Sequence, residues 1–328
     1  MATPTPHLPK RLIALEEHAL FPSLQPIGAF YNASLSSMPG ARTKLEDIGE
    51  GRIADMDSAH ITTQVLSTIP GLASTDPEGC KTANDALAAA IATHPTRLAG
   101  FAALPMQYPQ AARAELRRAV RKLGLAGAMI DNHLPEGQFY DSRIHDGLFA
   151  TAEELDVPIY IHPTPPTASQ IESFQGNYPM RTTNKLASSA WNWHASVGQH
   201  LIRLYASGLF TRHPNLKIII GHDGECLPMM IDRVDSLKLR EDMKFSEVWD
   251  RNVWVTTAGF FSLRAFEMLL KVTRVERVMF SVDYPLVEIG EGWKFVQRLA
   301  GCGILSAREM DLFAFGNAER LFKVETEP

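Results

Sequence analysis

Eight short apolar runs, separated by stretches that read as helices, constrain this chain more than any other feature. They lie at residues 12–18, 63–68, 98–102, 126–130, 158–161, 217–220, 253–256 and 278–281. Runs this short and apolar suit strands buried on both faces of a parallel sheet, where each return crossing needs a helix. Helix signals fall between them: Asp76 and Pro77 open an alanine-rich stretch, and residues 109–123 begin at a proline and end in basic residues. The expected architecture is α/β, a (β/α)8 barrel of the TIM type, forming one catalytic domain over residues 11–328 behind a loose tail at residues 1–10. Residues 19–48 and 163–193, broken by prolines and glycines, read as long irregular loops after the first and fifth strands, placed to wall a pocket. An open doubly wound sheet is the alternative, but no glycine-rich fingerprint follows the first run.

Composition narrows the partner. With 32 Lys and Arg against 37 Asp and Glu, the formal net charge is -5 and no long basic run occurs, which argues against nucleic acid or an anionic membrane. The opening MATPTPHLPK lacks the apolar core of a signal peptide, and no stretch is long and apolar enough to read as a membrane span. Cys80, Cys226 and Cys302 are far apart with no CxxC pairing, so a cytosolic location and a small-molecule partner are expected.

The chemistry-bearing residues cluster at run ends. In LIALEEH, residues 12–18, an apolar strand runs into two carboxylates and an imidazole, and alternation places Glu16 and His18 on one side with Glu17 on the other. A carboxylate and an imidazole delivered together are half the coordination sphere of a divalent ion. His162 follows the fifth run, His222 the sixth and Asp283 the eighth. Each alone reads as a strand-end histidine, a helix cap or a turn former. All at the C-terminal end of one barrel, they read as a single site, with the first and eighth strands adjacent once the barrel closes. His133, after the fourth run, reads as a surface residue.

LEEH at 15–18, YIHP at 160–163, IIIGHDGE at 218–225 and FSVDYP at 280–285 resemble the amidohydrolase-related decarboxylases, the group containing γ-resorcylate and 2,3-dihydroxybenzoate decarboxylases. The likeness spans residues 12–322, and Glu16-Glu17-His18 in place of the superfamily HxH is a departure shared with the γ-resorcylate type. The resemblance implies that Glu16, His18, His162 and Asp283 hold one divalent ion, Mn, Zn or Mg, without an organic cofactor. It further implies that His222 and Glu225 assist catalysis, that Asp283 supplies a proton, and that Arg233, eight residues along a helix expected to reach about residue 239, meets the substrate. The fourth run lacks the lysine that bridges two ions in binuclear relatives. Phe30, Tyr31, Trp191 and Trp193 are candidates to wall an aromatic ring, and Leu286 stands where the resorcylate enzyme carries an aromatic residue. The implied activity is non-oxidative decarboxylation of an ortho-hydroxybenzoate, a small aromatic carboxylic acid, by a cytoplasmic homodimer or homotetramer. Hydrolysis of a lactone or amide on the same metal is the alternative, and a non-catalytic binding barrel is a third reading.

Overall fold

In the computed structural model, which describes residues 6–322, the eight expected runs all become parallel strands. They are β1 (Ile13–Ala19), β2 (Thr63–Thr68), β3 (Leu98–Gly100), β4 (Ala128–Asp131), β5 (Pro158–His162), β6 (Lys217–Ile220), β7 (Val253–Thr256) and β8 (Val278–Met279). Strands β1–β3 form one arc and β4–β8 another. Isolated bridges at Ala102 with Ala128 and at Glu17 with Tyr284 join the arcs, so the sheet closes into a barrel rather than staying open. Helices cover the outside with one apolar stripe each: in Pro109–Leu123 the buried positions are Ala112, Glu115, Leu116 and Ala119.

The barrel interior is filled by Ile13, Leu15, Val65, Phe101, Met129, Tyr160, Ile219 and Met279, and its lower end is stoppered by Ala318 and Leu321 of the helix Asn317–Phe322. Strict alternation from Ile13 and Leu15 would carry Glu17 inward. Instead, Ala14 pairs with Gln64 but Glu17 pairs with Leu66, so β1 holds one residue more than β2 across this step. That bulge turns Glu16 and His18 to the same side as Leu15 and sends Glu17 outward with Leu66.

Glu17 lies at the β8–β1 seam. Its carboxylate accepts from the Val282 amide at 2.9 Å and from the Tyr284 amide, the Ser281 hydroxyl and the Gln64 side chain at 3.3 Å each. Arg52 donates to Gln64 Oε1 at 3.1 Å and to the His18 carbonyl at 2.7 Å. Burial pushes the Glu17 carboxyl up to about 8, against the Val282 and Tyr284 amides and Arg52, which favour its charge.

Three expectations are corrected. The segment after β1 is not irregular: it contains the helices Ala29–Ser36 and Ala41–Glu46, which form a small core of their own around Leu20, Ile27, Tyr31, Leu35, Leu45 and Ile69. The segment after β5 contains Ala168–Ser173, opened by a Thr167–Gln170 capping box, and Met180–Leu186. Helices this short, set between prolines and glycines, carry too few turns for a readable period. Beyond β6 no continuous helix forms. His222, Asp223, Gly224, Glu225 and Cys226 all have positive φ, and only Ile231–Ser236 is α-helical before Phe245–Asn252, a helix that periodicity did not reveal. Of the expected loose tail, residues 1–5 lie outside the described residues, while His7 bonds Asp311 at 2.8 Å and Pro9 is buried.

Glu17→Ala strips the Val282 and Tyr284 amides and Gln64 of their acceptor. At about 1–3 kcal/mol per buried unpaired group, it should cost roughly 3 kcal/mol or more, with Glu17→Gln losing less. Urea midpoints compared across the three proteins test this; an unchanged midpoint for Glu17→Ala would remove Glu17 from barrel closure.

Candidate metal centre

At the C-terminal mouth of the barrel, β1 delivers Glu16 and His18, β5 delivers His162, and the segment after β8 delivers Asp283. One ligand-type atom from each lies within 4.8 Å of all the others. Glu16 Oε1 is 2.7 Å from His162 Nε2, and His18 Nε2 is 3.1 Å from Asp283 Oδ1. All four of these atoms are buried and none has a hydrogen-bond partner. Four orphaned polar atoms at one point are costly unless something binds there, and two carboxylate oxygens with two imidazole nitrogens suit a divalent ion.

The opposite end of each ligand side chain is fixed. Tyr160, two residues before His162 on β5, donates its hydroxyl to Glu16 Oε2 and meets Thr256 Oγ1 at 2.7 Å, which leaves Oε1 for the site. His162 Nδ1 is 2.5 Å from the Pro163 carbonyl. A carbonyl can only accept, so Nδ1 carries the proton and Nε2 presents its lone pair. His18 Nδ1 bonds the Ser67 hydroxyl at 3.2 Å. Asp283 has a left-handed backbone, φ 71°. Its side chain is 16% exposed against 5% or less for the other three, so the quartet opens on the Asp283 side.

A second group lies beside the first. His222 Nε2 points toward Glu16 Oε1 at 3.6 Å, while its Nδ1 is 2.7 Å from Glu225 Oε1. The other oxygen of Glu225 is 2.8 Å from His194 Nδ1. These three residues also converge closely enough to hold an ion. Their facing atoms, however, already bond one another, whereas the facing atoms of the quartet have no partners. The geometry therefore fits one ion rather than two. Non-glycine residues in the left-handed region cost roughly 1–2 kcal/mol each, and His222, Asp223, Glu225 and Cys226 all sit there. Asp223 is buried with neither oxygen partnered, and burial raises its carboxyl well above the usual range.

Electrostatics follow the same division. Burial acts to raise the Glu16 carboxyl, but His162, His222 and His18 outweigh it and hold it well below the carboxylate range. Burial, reinforced by His162, pushes His18 down to about 3, which keeps it in the neutral form that binds metals. Burial and then Glu16 raise the Asp283 carboxyl well above its ordinary value. Burial opposes a charge on His222, yet Glu225 and Glu16 bring it up to about 10.

Of the other residues singled out in the sequence, Phe30, Tyr31, Trp193 and Leu286 come together. The Phe30 ring centroid is 5.5 Å from that of Tyr31 and 5.8 Å from that of Trp193, and Phe30 and Leu286 both pack against the core that contains Tyr31. Trp191 and Arg233 do not join them: Trp191 is exposed at the start of the helix Asn192–Ala206, and Arg233 is exposed on Ile231–Ser236 rather than sharing a helix with Glu225. His133 is buried, not a surface residue, with Nδ1 2.8 Å from the Leu134 carbonyl. His194, Tyr160 and Phe260 went unnoticed. Tyr160 shares strand parity with His162 and was open to inference, whereas nothing in WNWH at 191–194 points to Glu225.

A family model described as amidohydrolase matches residues 38–324. The chain belongs to the amidohydrolase family. Decarboxylase orsB of Emericella nidulans is 42% identical over 325 residues, covering 95% of this chain and 97% of its own. The γ-resorcylate decarboxylase of Polaromonas sp. is 32% identical over 332 residues, covering 95% and 98%. A crystal structure of a dihydroxybenzoic acid decarboxylase from Polaromonas sp. JS666, with bound manganese and the inhibitor 2-nitroresorcinol, matches with a TM-score of 0.85 at 30% identity, covering 96% of this chain and 97% of that one. These amidohydrolase relatives share the whole barrel, not one motif.

Gly221 leaves room for the Glu16–Tyr160 bond, since a Cβ there would lie 2.6 Å from Glu16 Oε2 and 3.0 Å from the Tyr160 hydroxyl. Its φ of -90° suits alanine, so Gly221→Ala should fold yet bind the ion more weakly. Metal titration of the two proteins decides; equal affinity would mean Glu16 is not held by this contact.

Proposed function

We propose that this chain is a metal-dependent, non-oxidative decarboxylase of an ortho-hydroxybenzoate of the dihydroxybenzoate or salicylate type. The carrying observation is the quartet of buried, unpartnered ligand atoms of Glu16, His18, His162 and Asp283, open only on the Asp283 side. Phe30, Tyr31, Trp193 and Leu286 offer an aromatic and apolar wall for a substrate ring, and Trp193 Nε1 is a buried donor without a partner, suited to a substrate oxygen. A divalent ion such as Mn, Zn or Mg, held by Glu16, His18, His162 and Asp283, would supply positive charge to attract the substrate carboxylate.

Asp283, the most open member of the quartet, delivers a proton to the ring carbon that bears the carboxylate. The carbon–carbon bond then breaks, its electron pair returns to the ring, aromaticity is restored and carbon dioxide leaves. His222 handles the proton beside it, with Nδ1–H held by Glu225 and Nε2 directed inward. Free Cys80, Cys226 and Cys302 suit a reducing cytosol. Exposed Met229, Met230, Leu237 and Leu239 on the segment after β6 suit contact with a second copy, in keeping with a homodimer or homotetramer.

One divalent ion per chain is expected from elemental analysis, with activity lost on chelation and restored by Mn. Incubation with a panel of hydroxybenzoates in deuterium oxide should release carbon dioxide and leave deuterium at the vacated carbon. Asp283→Asn should lower that rate by about 10²–10⁴. Cleavage of lactones with no carbon dioxide from any hydroxybenzoate would instead assign a hydrolase. For His222→Asn, turnover should collapse while the ion stays bound; loss of the ion would make His222 a ligand.

A further inference from the structure

We infer that His194 is a positioning residue that clamps Glu225 and thereby fixes the ring of His222, an inference that rests on the reading of His222 as the proton-handling group. His194 is buried in the first turn of the helix Asn192–Ala206. Its two ring nitrogens face two acceptors: Nδ1 lies 2.8 Å from Glu225 Oε2, and Nε2 lies 3.1 Å from the Ser189 carbonyl. A carboxylate oxygen has no proton to give, so the Glu225 contact takes an N–H from Nδ1 of the ring. Glu225, wholly buried, thus has a second hydrogen-bond donor besides His222, on its other oxygen.

The clamp matters because of the backbone beneath it. Glu225 sits at φ 54° in a run of left-handed residues, a conformation that persists only where surrounding contacts over-determine it. His194 supplies such a contact on one carboxylate oxygen, leaving the other to accept Nδ1–H of His222. The rings reinforce the bonds: His194 lies 4.8 Å from both His222 and Phe260, and Phe260 lies 5.6 Å from His222. With Nδ1–H committed to Glu225, His222 has one tautomer available when neutral, and its Nε2 lone pair faces the quartet. Remove the clamp and Glu225 is free to turn, so His222 loses its orientation without any metal ligand being touched.

His194→Phe keeps a ring against His222 and Phe260 but deletes the Nδ1–H donor; His194→Asn keeps a donor near the Nδ1 position. In the metal-loaded enzyme, His194→Phe should lower kcat roughly tenfold to a hundredfold with KM and bound ion unchanged, and His194→Asn should recover most of that loss. Unchanged kcat, a rise in KM alone, or an Asn variant as slow as Phe would overturn the clamp. A second measurement on the parent loaded with Zn or Mg guards against a Phe variant that fails to fold. Long-range 1H–15N spectra, assigned by the signal missing from His194→Asn, should show a proton on Nδ1 of His194, and a bare Nδ1 would overturn the assignment. If no hydroxybenzoate is decarboxylated by the parent, the functional reading fails while this spectrum still decides the state of His194.

Discussion

The site depends on barrel closure between its last and first strands. Asp283 is separated from Glu16 and His18 by most of the sequence, and β8 itself is only two residues long, too short to hold a register. The seam is held by side chains and single backbone contacts: Glu17 gathers the amides of Val282 and Tyr284, and the His18 amide donates to the Tyr284 carbonyl at 2.7 Å. Arg52 ties the reverse side of β1 to the covering helix through Gln64 and the His18 carbonyl. Two neighbouring carboxylates of β1 therefore divide the labour. Glu16 faces the quartet at the barrel mouth, and Glu17 holds the seam that brings Asp283 beside it.

Much of this was legible from the residues. All eight strands fell where apolar runs predicted, because strands buried on both faces must be apolar throughout. Glu16, His18, His162 and Asp283 were visible as polar residues at the ends of such runs, and they do converge. What was not legible depends on contacts between distant segments. His194 looks like any helix residue until Glu225 is brought against it, and His133 looks exposed until Leu134 and Phe139 fold around it. The helix expected to start beyond β6 failed for a local reason: of the two glycines in GHDGEC only Gly224 takes a left-handed backbone, yet four non-glycine neighbours adopt it too.

That left-handed run and the two buried imidazoles form a single mechanical unit. In its tight turns the side chains of His222 and Glu225 meet at 2.7 Å, at a conformational cost met by contacts from the helix that carries His194. The segments on either side of β6 thus share one hydrogen-bonded chain, His194–Glu225–His222, that leads to the quartet.

The bulge in β1 has a reach beyond its own strand. Side chains repeat every two residues along an extended chain, so one extra residue amounts to a half-period offset. Below the offset, the inward positions are packing residues, Ile13 and Leu15; above it, they are polar members of the quartet, Glu16 and His18. Loss of the bulge with the length of β1 unchanged would therefore exchange the two carboxylates, turning Glu17 toward the quartet and Glu16 toward the helices. Most amino-acid exchanges along β1 alter one contact, but a straightened strand would reassign every position above the offset.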